Sequence, residues 1–194
     1  MTGSFDILIV GIGGQGTILA SNILGEACLI EGRAVKGAET HGMAQRGGSV
    51  ESHIRIDGKY GPLIPPGQAD LLISFDLLEA LRYSHFLKDG GKMVVSRQLV
   101  MPTSVFTQKL TAPSEAEIIA ELKKHPLCLL DADKMATEAG SVLAQNVVML
   151  GAAAGSIPLN PESLLEAVRR SVPKKTLDIN VRAFELGRTF SGTC

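Results

Sequence analysis

An apolar stretch that runs straight into a cluster of glycines constrains this chain more than any other feature. Residues 7–10 are all aliphatic, which is typical of a strand buried on both faces of a sheet. Four glycines follow within six residues, and apolar residues then recur at helical spacing. A strand, a tight glycine turn and a helix form the opening unit of a doubly wound α/β sheet.

The glycine loop has three interpretations. A side chain at Gly11, Gly13, Gly14 or Gly16 would hinder a sharp bend or an approaching group. The helix N-terminus that follows favours an anion such as a phosphate, and the Gly-x-Gly-x-x-Gly spacing fits NAD or FAD. That fingerprint requires an acid at the end of the second strand, but the strand over residues 33–36 ends in lysine. A stand-alone dinucleotide protein, a turn without a ligand and a turn that touches another chain's cofactor remain open.

Strand and helix patterns alternate along the rest of the chain. Buried strands are predicted over residues 69–75, 93–95 and 127–130, with helical segments between them. Residues 49–56 alternate between apolar and polar, and Asp57-Gly58 indicates a hairpin with a short return strand. We therefore expect one domain over residues 1–194. It should be an α/β fold with a three-layer Rossmann-like sheet, mostly parallel with an antiparallel hairpin, and helices on both faces.

Two helices near the C-terminus carry further expectations. The helix over residues 141–154 is almost wholly apolar, so it should be buried or lie at an interface. The last helix is expected to end at Gly187, because glycine commonly terminates helices.

Residues 37–48 form a polar, glycine-rich segment without strand or helix periodicity. The segment brings His41, Gln45 and Arg46 close together in sequence, next to Glu39. Long loops without regular structure tend to be functional or disordered, and strands flank this one on both sides, which favours function. The forked guanidinium of Arg46 suits a phosphate or a carboxylate.

Composition excludes several classes of protein. A net charge of −1 and an aromatic content of 4% argue against nucleic-acid binding. No apolar run approaches the ~20 residues of a membrane span. No export signal is recognised, so a cytoplasmic location is expected. Three scattered cysteines offer no metal-ligand spacing. Without a nucleophile elbow or a Walker lysine, the chain should be a partner that holds no catalytic or metal residue itself.

Four motifs together resemble the gamma subunit, or gamma domain, of 2-oxoacid:ferredoxin oxidoreductases over nearly the whole chain. They are Gly11-Ile12-Gly13-Gly14-Gln15-Gly16, Glu39-x-His41-Gly42-Met43-x-Gln45-Arg46-Gly47-Gly48-Ser49-Val50, Asp70-Leu71-Leu72 with Glu79-Ala80-Leu81-Arg82, and Asn146-Val147-Val148-Met149-Leu150-Gly151-Ala152. The second motif, taken with the helix at residues 79–83, is most similar to the small beta subunit of indolepyruvate:ferredoxin oxidoreductases. The combination is specific, whereas the glycine loop alone is not.

The resemblance implies a subunit that is inactive alone. Its complex would oxidatively decarboxylate a 2-oxoacid, here an aryl pyruvate, to an acyl-CoA and pass electrons to ferredoxin. Thiamine diphosphate, iron–sulfur clusters and coenzyme A would be used through a larger partner subunit, and three dispersed cysteines agree because a cluster takes four. The cofactor-facing residues so implied are Gly11, Gly13, Gly14, Gln15, Gly16, His41, Gln45, Arg46, Gly47 and Gly48. A homodimer of the isolated chain and a non-catalytic binding module remain open.

Overall fold

A computed structural model describes residues 3–41, 48–102, 105, 107–108 and 111–192, without the side chains of His41 and Ser191. The strands are β1 (Phe5–Ile12), β2 (Val35–His41), β3 (Ser49–Ile56), β4 (Ala69–Ser74), β5 (Leu87–Ser96) and β6 (Leu127–Leu130). They form one sheet in the order β2-β3-β1-β4-β5-β6. Strand β3 runs antiparallel to both of its neighbours, whereas β1, β4, β5 and β6 pair in parallel.

Helices connect the strands and fill the last third of the chain. The α-helices are α1 (Thr17–Ile30), α2 (Leu77–Tyr83), α3 (Glu115–Leu122), α4 (Ala132–Ala139), α5 (Gln145–Ala153), α6 (Pro161–Ser171) and α7 (Leu177–Ser191). Short 3-10 turns precede α5 at Val142–Ala144 and follow α2 at Ser84–Phe86.

Strand β1 is buried because both faces of the sheet are covered. Ile7 and Ile9 point into a core that includes residues of α1, α5 and α7. Leu8 and Val10 point the other way, into a second core built with α2 and α3. The predicted three-layer α/β architecture, with a mostly parallel sheet, is therefore confirmed.

The antiparallel part of the sheet differs from the prediction. Strand β2 extends to His41 because it pairs with β3 along its whole length, from Val35 opposite Ile56 to His41 opposite Val50. The return strand expected after Asp57-Gly58 is wrong, since residues 57–68 form turns and bends. The Asp57 carboxylate instead accepts the Ala34 N–H at 3.1 Å, and three prolines in the segment remove donors that a strand would need.

The two helices near the C-terminus pack on each other. The apolar helix α5 is buried inside the fold, with Val147, Val148, Met149 and Leu150 fully enclosed. The prediction that this helix is buried or lies at an interface is thereby confirmed as burial within the fold. The predicted helix end at Gly187 is wrong, because α7 continues to Ser191.

Candidate functional site

The glycine loop joins the carboxyl end of β1 to the N-terminus of α1. Gly14 and Gly16 adopt left-handed backbone angles, with φ of 107° and 82°, which side chains rarely tolerate. A Cβ at Gly16 would lie 2.7 Å from the Asn146 side-chain nitrogen. The tight turn is confirmed. Gly14 is exposed. Among the described residues, no atom beyond its chain neighbours lies within 4 Å of the place where its side chain would stand, and no side chain caps α1.

The two motifs singled out in the sequence meet at this edge of the sheet. The Gly13 N–H donates a hydrogen bond of 2.9 Å to the Gly48 carbonyl, although the two residues are far apart in sequence. This contact follows from the register of the antiparallel pair, which sets Ile12 opposite Ser49. His41 ends the neighbouring strand β2, whereas Gln45, Arg46 and Gly47 lie outside the described residues. The structure thus joins the glycine loop to the C-terminal flank of the second motif.

The side chain of Gln15 turns inward from the loop. Its Oε1 accepts the Ile12 N–H at 2.6 Å, while its Nε2 donates to the Phe75 carbonyl at 3.3 Å. The same Nε2 donates to Oε1 of Gln98 at 2.5 Å. These bonds link the ends of β1, β4 and β5.

A buried carboxyl lies beside the second motif, and neither its burial nor its partner was predicted from the sequence. Glu79, only 3% exposed, accepts a hydrogen bond of 2.5 Å from the Ser49 hydroxyl and pairs with Arg82 at 3.0 Å. The Tyr83 hydroxyl lies 3.1 Å from the same serine oxygen. Asp76 caps α2, because its carboxylate accepts the N–H groups of Leu78 and Glu79. The Glu79 side chain instead holds the first residue of β3, directly after Gly48.

Burial dominates the titration of this cluster. It raises the pKa of Glu79 above its ordinary value of 4.5, and the Ser49 hydrogen bond and the Arg82 charge offset only part of that rise. Burial likewise raises the pKa of Tyr83 and of Asp76. The folded state therefore holds a proton on Glu79 more tightly than the unfolded chain does.

We expect Glu79→Gln to gain stability relative to the wild type as the pH rises. A raised folded pKa contributes stability that is fully present below the unfolded value near 4.5 and is lost as the pH rises through the folded pKa. Glutamine keeps an acceptor for Ser49 and does not titrate. Urea unfolding at a series of pH values from below 4.5 upwards should show the free energy of unfolding of the wild type decreasing relative to that of the variant.

The matched control for this experiment is Glu117→Gln. Hydrogen bonds from Ser114 lower the pKa of Glu117, so this variant should lose stability relative to the wild type as the pH rises. If the free energies of unfolding of the wild type and Glu79→Gln changed in parallel with pH, the assignment of a buried, proton-retaining carboxyl would be contradicted.

The backbone groups at this edge of the sheet are suited to binding an anion. The exposed Gly14 and the uncapped start of α1 present N–H donors and the positive end of a helix dipole. The acid that a dinucleotide would require is not at the end of β2. Glu39 lies inside the strand and accepts the Ser21 hydroxyl of α1 at 2.9 Å.

Two features are absent from the described part of the chain. The side chains described there include no group of three or more His, Cys, Asp or Glu residues that could hold a metal ion. Within the same residues, no helix has the length and apolar character of a membrane span.

Comparisons with known proteins agree with this fold and with the motifs. The IorB subunit of the indolepyruvate oxidoreductase of Thermococcus kodakarensis is 42% identical over 189 residues, covering 94% of each chain. The gamma subunit common to the pyruvate and ketoisovalerate oxidoreductases of Pyrococcus furiosus is 33% identical over 181 residues, or 89% of each chain. The crystal structure of a keto/oxoacid ferredoxin oxidoreductase gamma subunit from Geobacter sulfurreducens superposes with a TM-score of 0.72. It is 26% identical, over 98% of this chain and 99% of that one.

These relatives do not favour a stand-alone dinucleotide protein. The family model described as Pyruvate ferredoxin/flavodoxin oxidoreductase matches residues 6–190, which include the glycine loop, the second motif and helices α5 to α7 up to Phe190. This chain therefore belongs to the pyruvate ferredoxin/flavodoxin oxidoreductase family.

Proposed function

We propose that the chain is the small subunit of a 2-oxoacid:ferredoxin oxidoreductase that acts on indolepyruvate or a related aryl pyruvate. The complex would oxidatively decarboxylate the 2-oxoacid to an acyl-CoA and pass the electrons to ferredoxin. The hydrogen bond from Gly13 to Gly48 is the observation that carries the proposal, because it joins two family motifs into one surface. The aryl pyruvate is chosen because the IorB relative is named for indolepyruvate.

The redox chemistry is assigned to a larger partner subunit. Iron–sulfur clusters take four cysteine ligands, and this chain has only three cysteines in total. When bound in the partner, thiamine diphosphate supplies the group that stabilises the negative charge left by decarboxylation. The glycine loop, with no ionisable side chain between Gly11 and Gly16, is suited to binding and orientation rather than to proton transfer.

Coenzyme A is the cofactor that fits the loop of this chain. Its phosphates match the N–H donors of the exposed Gly14 and of the first turn of α1, which no side chain of the described residues caps. Arg46 would add a forked, charge-assisted contact to the same phosphates from the second motif. The chain would thus hold and orient the acyl acceptor at the surface it presents to the partner.

The decisive experiment is reconstitution with the larger subunit from the same source. The isolated chain should show no turnover, whereas the two subunits together should reduce ferredoxin in the presence of an aryl pyruvate and coenzyme A. Appreciable turnover by the purified chain alone, or a redox group tightly held by it, would overturn the proposal.

Arg46→Ala should raise the KM for coenzyme A in the reconstituted enzyme by roughly 10- to 100-fold. A hydrogen bond to a charged group contributes about 1.5–3 kcal/mol, and about 1.4 kcal/mol corresponds to tenfold in affinity. Arg169→Ala serves as the control, because this arginine is exposed on α6 and, within the described part of the chain, pairs with Glu166 across one helical turn at 3.6 Å. Steady-state kinetics at varied coenzyme A provide the measurement. Full activity with an unchanged KM in Arg46→Ala would rule out the contact.

A further inference from the structure

The crevice at the carboxyl edge of the sheet is occupied by the chain's own side chains. From β1 the chain crosses to β2 on one side of the sheet order, and from β3 it crosses to β4 on the other side. Ligands of open α/β sheets bind in the crevice at such a switch point. Here Gln15 and Gln98 meet in that place, between the ends of β1, β4 and β5.

Each hydrogen-bonding group of the Gln15 amide has a partner within the protein. The Oε1 accepts the Ile12 N–H at 2.6 Å, and the Nε2 donates to Phe75 at 3.3 Å and to Gln98 at 2.5 Å. An amide nitrogen carries two hydrogens, so both are used. The side chain is therefore placed to hold the loop and is not free to reach a ligand.

Gln98 is itself held by its neighbours. Its backbone carbonyl accepts the Leu77 N–H at 2.8 Å, at the start of α2. Two residues later, the Val100 N–H donates to the Asp76 carboxylate at 2.7 Å. Asp76 is fully buried and also caps α2. Gln98 thus projects from a segment that is tied to the start of α2 at Gln98 itself and at Val100.

We propose that Gln98 is a positioning residue that fixes the conformation of the glycine loop through Gln15. The loop contains four glycines and would otherwise sample many conformations, so ordering it on binding would weaken affinity. The tie from Gln98 through Gln15 to the Ile12 N–H holds the loop in the shape that presents Gly14 and the start of α1. The consequence for coenzyme A rests on the proposed function; the consequence for the loop itself does not.

The experiment compares Gln98→Met, Gln15→Ala and the double variant, all in the reconstituted enzyme. Methionine keeps the length of glutamine and removes the acceptor for Gln15. Gln98→Met should raise the KM for coenzyme A five- to tenfold with kcat within twofold. Because Gln98 acts through Gln15, the double variant should match Gln15→Ala alone. Additive effects in the double variant, or an unchanged KM in Gln98→Met, would overturn the proposal.

A second readout uses the isolated chain and needs no partner. Hydrogen exchange of the Ile12 amide should accelerate at least fivefold in Gln98→Met, because the Gln15 acceptor would no longer be held against it. Arg97→Met is the matched control. Its side chain is exposed, pairs with Glu115 at 2.7 Å and lies next to Gln98, so Ile12 exchange and the KM should stay unchanged.

The two readouts separate this inference from the proposed function. A wild-type chain that does not assemble with the larger subunit would defeat the proposed function, while Ile12 exchange would still test the tie. An active wild-type complex in which Gln98→Met changes neither Ile12 exchange nor the KM would defeat the positioning role alone. Accelerated exchange with an unchanged KM would establish the tie and overturn its consequence for coenzyme A, since the shape of the loop would then be irrelevant to coenzyme A.

Discussion

Gly187→Ala is expected to lower the free energy of unfolding by about 3 kcal/mol or more, at or above the upper end of the usual range for an overpacked core. Helices α5 and α7 cross so closely that a Cβ at Gly187 would lie 2.0 Å from the Val148 carbonyl oxygen and 2.8 Å from the Ala152 nitrogen. Both atoms belong to backbone inside a helix, so no side-chain rotation can relieve the clash. The helices would have to separate, and the core around them would lose contacts.

The control for this variant is Gly25→Ala. Gly25 lies in the interior of α1, and a Cβ there would meet nothing within 4 Å. Alanine in place of an unconstrained helical glycine should stabilise by about 0.5–1 kcal/mol. Urea unfolding should therefore give changes in the free energy of unfolding of opposite sign for the same glycine-to-alanine substitution at the two positions. A Gly187→Ala chain as stable as the wild type would show that the two helices are not in backbone contact.

The helix crossing also bears on the candidate site. Residue Asn146, in the first turn of α5, has its side-chain nitrogen 3.4 Å from the Gly16 carbonyl, at the end of the glycine loop. A displacement of α5 would change that contact. The Ala20 N–H donates to the same Gly16 carbonyl at 3.0 Å. We therefore expect amide exchange at Ala20 to accelerate in Gly187→Ala and not to accelerate in Gly25→Ala.

Patterns confined to a few neighbouring residues were predicted correctly from the sequence. The aliphatic run of β1 and the glycines after it are constrained locally, because a doubly buried strand and a left-handed turn each demand particular residue types. These elements also fixed the position of the glycine loop in the fold.

Features that depend on distant partners were not predictable in this way. The polar end of β2 has no strand periodicity and is a strand only because β3 pairs with it. Gly187 looks like a helix terminator, since a glycine that ends a helix and one that admits a second backbone are the same residue in sequence. Only the presence of Gly151 on the facing helix distinguishes the two cases.

The candidate site likewise combines features that are recognisable locally with features that depend on distant partners. The glycine loop and the second motif are recognisable as motifs, but their contact through Gly13 and Gly48 comes from sheet register. Glu79 was recognised only as part of a family motif, without its contact to Ser49, and Gln98 lies in a segment without any periodicity. No local pattern in the sequence distinguishes Gln15, whose side chain links the ends of three strands, or its partner Gln98 from a glutamine that faces solvent.

Arg55→Ala is expected to lower the free energy of unfolding by about 3–5 kcal/mol, because it leaves the Asp6 carboxylate buried without its partner. The two side chains form a paired contact between β1 and β3, with Nε to Oδ1 at 3.0 Å and Nη2 to Oδ2 at 2.8 Å. Arg55 also donates to the Gly61 carbonyl at 3.0 Å. Lys88→Ala is the control, since Lys88 pairs with Asp70 at the same edge but is half exposed. This substitution should lower the free energy of unfolding by about 1 kcal/mol or less.

The double variant Asp6→Ala with Arg55→Ala separates the pair from its surroundings. Removing both charges should cost less than the two single changes added together, by about 0.5–3 kcal/mol, as expected for groups in direct contact. Asp6 stands opposite Arg55 in the same antiparallel register that sets Ile12 opposite Ser49. If the pair fixes that register, amide exchange at Gly13 should accelerate in Arg55→Ala and remain unchanged in Lys88→Ala. If the changes in the free energy of unfolding are additive and the exchange rate of the Gly13 amide is unchanged, the hydrophobic alternation of the strands sets the register without the ion pair.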